Sequence, residues 1–105
     1  MVFIETSYFT NNIGRYIDDD DLAELQVELA WNPELGRVIR GGGGIRKLLW
    51  AVRGRGKRGG ARIIYYWAVK RSVVLMLHVY VKSEVGDLNP KQIQALRSVV
   101  EREFG

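Results

Sequence analysis

The stretch from Ile45 to Lys82 reads IRKLLWAVRGRGKRGGARIIYYWAVKRSVVLMLHVYVK. Three apolar runs rich in β-branched and aromatic residues are joined by a long Gly/Arg/Lys loop and a short basic turn. That pattern predicts an antiparallel meander, with strands over Ile45–Ala51, Ala61–Val69 and Ser72–Val81. Alternation along the third strand places Val73, Leu75, Leu77, Val79 and Val81 on one side, and Val74, Met76, His78, Tyr80 and Lys82 on the other. The first set is purely aliphatic and is expected to pack on helices. The second carries polar groups toward its end and is expected to face outward there. On the middle strand, Arg62, Ile64 and Tyr66 alternate with Ile63, Tyr65 and Trp67, and both sets are amphipathic, so either can face inward.

Charge is distributed more unevenly than the net value of +4 implies. Between Leu35 and Ser83 there is no Asp or Glu, yet twelve of the sixteen Lys and Arg residues fall there. Cations gathered at that density repel one another, and the common reason for keeping them is a polyanionic partner, most often nucleic acid. The acidic residues collect instead in Asp18–Glu34 and Glu84–Glu103.

Outward from the meander, Val2–Glu5 reads as a first strand. Thr6 or Ser7 can cap a helix over Tyr8–Ile17, weakened by Gly14. Asp20 or Asp21 is expected to cap a second helix, whose stripe of Leu22, Leu25 and Leu29 ends near Trp31 before Asn32-Pro33. The Asp18–Asp21 run is better explained by capping and by the positive end of the helix dipole than by a metal site. Val38-Ile39 can form a short strand, and Gly41–Gly44 reads as a turn. Asn89 and Pro90 suit the N-cap and first position of a last helix, with Ile93, Leu96, Val100 and Phe104 buried. At 105 residues the chain makes one domain, 1–105. It has no cysteine, which removes thiolate chemistry and disulfides and fits a cytoplasmic setting. No signal peptide or membrane span is read from the sequence.

Several motifs fail on context. Gly54-Arg-Gly56-Lys-Arg-Gly59 matches G-x-G-x-x-G, but a strand rather than a helix follows, so no dinucleotide site is expected. The same loop misses a P-loop, with Ala51 in place of the first glycine and Arg58 in place of Ser/Thr. His78, the only histidine, lacks companions for a zinc site or a Ser/His/Asp arrangement and reads first as a structural strand residue. What remains is a cationic, aromatic sheet surface, on which Arg46, Lys47, Lys57, Arg62, Tyr80 and Lys82 can hold phosphates and stack bases. Such a surface can cleave RNA without histidine, because RNA carries its own nucleophile, the 2′-hydroxyl. A positioned Lys or Arg then stabilises charge on the phosphate, and a Tyr or Lys can move a proton if cationic neighbours shift its pKa.

The segments GGGGIRKLLWA, GRGKRGGARIIYYW, Tyr80-Val-Lys82-Ser-Glu84 and Asp87-Leu88-Asn89-Pro90 resemble, in that order, the HigB-type branch of the RelE/ParE toxin superfamily. Leu25-Gln26, Leu29, Asn32-Pro33 and Gly36-Arg37-Val38-Ile39 extend the resemblance. It implies a small α+β toxin, with N-terminal helices and a C-terminal helix packed on an antiparallel sheet. It further implies an endoribonuclease that cuts messenger RNA on the ribosome and is held by a cognate helix-turn-helix antitoxin. No cofactor, metal or membrane partner is expected from the residues. Carried over, Arg62 is the phosphate-stabilising arginine, followed by Lys57 and Lys82. Tyr80 and Glu84 would orient groups or transfer protons, and Arg46, Lys47, Arg55 and Arg58 would bind RNA. Some relatives poison DNA gyrase instead, so a non-catalytic toxin or binding protein is the alternative, and an isolated structural domain is a third reading.

Overall fold

The computed structural model describes the backbone of residues 1–52 and 56–105, and side chains outside 52–59. The elements run β1 (Val2–Glu5), α1 (Ser7–Asn12), a 3-10 turn (Ile13–Arg15), α2 (Asp19–Trp31), β2 (Arg37–Val38), β3 (Arg46–Val52), β4 (Gly56–Ala68), a second 3-10 turn (Val69–Arg71), β5 (Val73–Val81), α3 (Lys82–Val85) and α4 (Pro90–Phe104). The α+β architecture expected from the sequence is present. The strands form one sheet in the order β1-β5-β4-β3-β2. The β3-β4-β5 meander is antiparallel, and β1 joins its β5 edge in parallel, with Val2 opposite Val73. No helix among the described residues is long and apolar enough to cross a membrane.

Helices pack on both faces of the sheet. On one, Leu48, Ile63, Tyr65, Val74, Met76 and Val79 pack with Phe9 and Ile13 from the first helical segment and with Leu25 and Leu29 of α2. On the other, Ile45, Ile64, Leu75, Leu77 and Tyr80 meet Val100 of α4, with Ile93, Leu96 and Phe104 alongside. The strict alternation expected for β5 therefore fails midway. Ile64 lies opposite His78 and Tyr65 opposite Met76, so Leu77 is an extra residue, a β-bulge. The bulge reverses the parity of the strand, moving Val79 to the α1/α2 face and Tyr80 to the α4 face. Tyr80, expected on an open face, is only 3% exposed.

Local chemistry sets the helix ends. Thr6 Oγ1 accepts from the Phe9 N–H at 3.2 Å and donates to the Leu77 carbonyl at 2.8 Å, which ties the start of α1 to the bulge. Gly14 falls in the 3-10 turn rather than in an α-helix, so α1 ends before the expected Ile17. The cap of α2 is Asp18, whose Oδ1 accepts from the Asp21 N–H at 2.8 Å, and not Asp20 or Asp21. Four consecutive aspartates are equivalent as caps by residue type, and the path of the chain out of the 3-10 turn selects the first. At α4, Asn89 and Gln92 form a reciprocal capping box with Pro90 in the first turn. Gly41, Gly43 and Gly44 all have positive φ, which is how the four-glycine run turns the chain into β3.

One buried hydroxyl fixes the chain between α2 and β2. Tyr65 Oη donates to the Pro33 carbonyl at 2.7 Å and accepts from the Gly36 N–H at 2.8 Å, while a Cβ at Gly36 would lie 2.8 Å from the Tyr65 ring. Tyr65→Phe leaves that N–H buried and unpaired. It is expected to lower the unfolding free energy by about 1–3 kcal/mol, measured by urea denaturation. A change within error would mean that the hydroxyl does not hold this loop.

Candidate nucleic-acid interface

The α4 face of the sheet is only partly covered. Beyond α4, parity along β3 and β4 brings Lys47, Leu49 and Arg62 to the same side as Ile64, with Leu49 opposite Arg62 and Lys47 opposite Ile64. On β2, Arg37 lies opposite Lys47, and Lys82 emerges just past the end of β5 as the first residue of α3. These side chains border one concavity of about 460 Å3. Arg37, Lys47, Arg62 and Lys82 supply four cations, and Asp87 supplies the one carboxylate among its described lining residues. Leu35 and Leu49, 38% and 47% exposed, give it an apolar flank.

Three of the cations have defined or open tasks. The Arg62 guanidinium donates to the Gly60 carbonyl at 3.0 Å through Nη1, which fixes it against its own strand. Lys82 Nζ lies 3.6 Å from Asp87 Oδ2, an exposed and therefore weak pair that an incoming anion can displace. Lys47 lies half-buried between Arg37 and Arg62 across neighbouring strands.

The other expected site residues are placed differently. Arg46, adjacent to Lys47 in sequence, points to the opposite face, where its Nη1 donates to the carbonyls of Gly36 at 2.8 Å and Glu34 at 3.3 Å. The structure gives it a loop-holding task and does not bring it to the concavity. Glu84 pairs with Arg15 at 3.3 Å and lines a separate cavity of about 150 Å3 shared with Tyr8, His78 and Tyr80. Arg55 and the side chains of Lys57 and Arg58 lie outside the described residues. Arg37 and Asp87 were not singled out by sequence reasoning. Both fall in segments that carry the family resemblance, but no role was attached to either, and Asp87 becomes informative only when the turn after α3 places it beside Lys82.

Tyr80 sits opposite Arg62, and its Oη is buried without a well-formed hydrogen bond. Burial, and then the Asp87 carboxylate, push its phenol above 10.0, while Arg62 and the Leu88 backbone oppose the rise. Desolvation outweighs the cationic neighbour, so Tyr80 is a neutral phenol. His78 stacks on Tyr8 with ring centroids 4.5 Å apart, and burial lowers its pKa from 6.5.

No protein-family model matches the sequence. The architecture is similar to that of a doubly substituted mutant of the E. coli toxin RelE in the free state, with a TM-score of 0.61 and 16% identity over 96% of this chain and 95% of that one. It is similar also to a chain of the intact E. coli RelBE toxin-antitoxin complex, with a TM-score of 0.57 and 18% identity over 76% of this chain and 94% of that one. The fold is therefore RelE-like.

The pKa of His78 has a consequence for stability. Its folded-state value is depressed below 6.5 by burial, so between that value and 6.5 the unfolded chain holds a proton that the folded chain does not. Stability should decline as pH falls from 7 through this window and stop responding to His78 below it. Urea midpoints of the parent protein are expected to fall between pH 7.5 and pH 5.5, and those of His78→Gln to fall less. Equal slopes would mean that His78 titrates alike in both states.

Proposed function

We propose that this chain is the toxin of a toxin–antitoxin pair and acts as an endoribonuclease on messenger RNA. The observation that carries the reading is the concavity itself, where Arg37, Lys47, Arg62 and Lys82 surround one space against a single carboxylate among its described lining residues. That is a receptor for phosphate charge, and its exposed apolar flank can support a base or ribose. The RelE-like fold supports the same reading, as does the sequence resemblance to the HigB-type branch. An adjacent helix-turn-helix antitoxin and the ribosome belong to the same proposal.

The chemistry follows from what the cavity offers. The RNA 2′-oxygen attacks the adjacent phosphorus, the P–O5′ bond breaks, and the products carry a 2′,3′-cyclic phosphate and a 5′-hydroxyl. Negative charge grows on the non-bridging oxygens during this step. Arg62, oriented by its own strand, is the donor best placed to stabilise it through a forked pair of N–H groups. Lys47 and Arg37 hold the flanking phosphates. Lys82 exchanges its Asp87 partner for substrate, which frees the Asp87 side chain to accept the proton leaving the 2′-hydroxyl. The departing 5′-oxygen takes its proton from solvent, because Tyr80, although opposite Arg62, has its hydroxyl buried in the neighbouring cavity.

Arg62→Ala is expected to lower cleavage by about 100-fold or more, and Arg62→Lys to restore only part of it, since an ammonium cannot form the fork. Primer extension on ribosome-bound message and on naked RNA measures both, and the terminal chemistry identifies the nucleophile. Intact message in growth-arrested cells, together with inhibited supercoiling by gyrase, would replace this reading with the gyrase-directed one.

A further inference from the structure

A second cation-and-aromatic surface lies at the far end of β4, outside the concavity described above. Tyr66 and Phe104 stack with centroids 5.7 Å apart at 30°, and the Arg71 guanidinium lies 5.5 Å from the Phe104 ring centre. With Trp67, Val69 and Lys70 they border an open depression of about 390 Å3. The turn carrying it is exposed, with Val69 63% accessible. Neither Lys70 nor Arg71 forms an ion pair with a carboxylate among the described residues.

Packing alone accounts for the Tyr66–Phe104 contact, since both rings adjoin the α4 core. It does not account for two cations and an exposed valine gathered at the open rim of three aromatic rings. Phosphate attracts such cations, and every nucleobase can stack on such rings. A duplex hides its base faces, and an acidic side chain brings charge without a ring, whereas each nucleotide of a single strand brings both, so a single strand uses the whole surface.

We propose that this depression is a second contact for single-stranded RNA, taking one nucleotide with its base against Phe104 and Tyr66 and its phosphates on Lys70 and Arg71. The site rests on RNA being the ligand, as proposed above, but not on cleavage. By strand parity Tyr66 lies on the same side of β4 as Arg62, four residues and about 13 Å away. An RNA held at both points is gripped at the scissile phosphate and anchored a short distance from it.

The test uses the full chain carrying Arg62→Ala, so that bound RNA is not consumed, with a fluorescein-labelled single-stranded RNA ten-mer and anisotropy over a range of salt. Adding Lys70→Ala and Arg71→Ala should weaken binding about tenfold at low salt and reduce the slope of log affinity against log salt by about 1.4, the share of two phosphates. Phe104→Leu, which keeps an apolar side chain on α4, should weaken binding with no change in slope. Unchanged affinity and slope in the Lys70/Arg71 variant, with the Arg62→Ala protein still binding RNA, would overturn the second site and leave the ribonuclease reading intact. Tighter binding of a duplex ten-mer than of the single strand would overturn it as well. If the expected losses appear while the parent protein cuts no RNA, the second site holds and the cleavage reading falls.

Discussion

Like charges gathered in one place repel, and this fold holds them together by burying the strands that carry them. Two cations about 8 Å apart repel by about 2 kcal/mol at an effective dielectric near 20, and by less where water and salt screen them. Four such groups border the concavity on the α4 face. What opposes their separation is the dry packing beneath, where β4 and β5 are covered on both faces by helices. Ile63, Ile64, Tyr65, Val74, Met76 and Val79 are all fully buried. The hydrophobic stabilisation from such side chains, about 1.5–3 kcal/mol each, exceeds the repulsion that they restrain. Arg62 rides on the strand at the centre of this packing, which is why it can be held still while Lys82, past the end of β5, is exposed.

Much of this was legible in the sequence where the deciding physics is local. The Asn89-Pro90 start of α4 depends on a cap and a proline one residue apart, and both are used as read. The four-glycine turn and the meander likewise depend on neighbouring residues. Arg62 stood out because the segment around it is distinctive, and it does reach the concavity. Non-local geometry was not legible. The parallel docking of β1 on β5 joins residues about seventy positions apart, and the bulge at Leu77 follows from how β4 and β5 meet rather than from either strand alone. That single extra residue changed which face Tyr80 occupies.

Arg46 and Lys47 show the same limit at the site. Both are cations in one strand, and composition treats them alike. Adjacent strand residues point to opposite faces, so only one of the pair can serve the concavity. Which one depends on the register with β4, where Arg46 is opposite Tyr65 and Lys47 opposite Ile64. Arg46 therefore joins the group around Tyr65 that holds the loop after α2, since its guanidinium and the Tyr65 hydroxyl both bond the backbone of that loop. A basic residue in a basic stretch can thus be structural, and its hydrogen bonds reveal this where its charge does not.

The state of Tyr80 constrains how a site without a histidine can work. The phenol faces competing influences, with burial and Asp87 raising its pKa and Arg62 and the Leu88 backbone lowering it. Because burial is the largest of these, the group keeps its proton at neutral pH and cannot remove one. His78 is stacked on Tyr8 and packed away from the concavity. Among the described lining residues only Asp87 then remains as an acceptor, and a carboxylate is a weak base for a hydroxyl. If RNA is the substrate, as proposed, a cluster of cations changes that balance by stabilising the alkoxide and the phosphate charge together, so less of the work falls on the base. On the proposed ribonuclease reading, concentrated positive charge serves both binding and chemistry, and the burial that keeps Tyr80 neutral also keeps that charge in place.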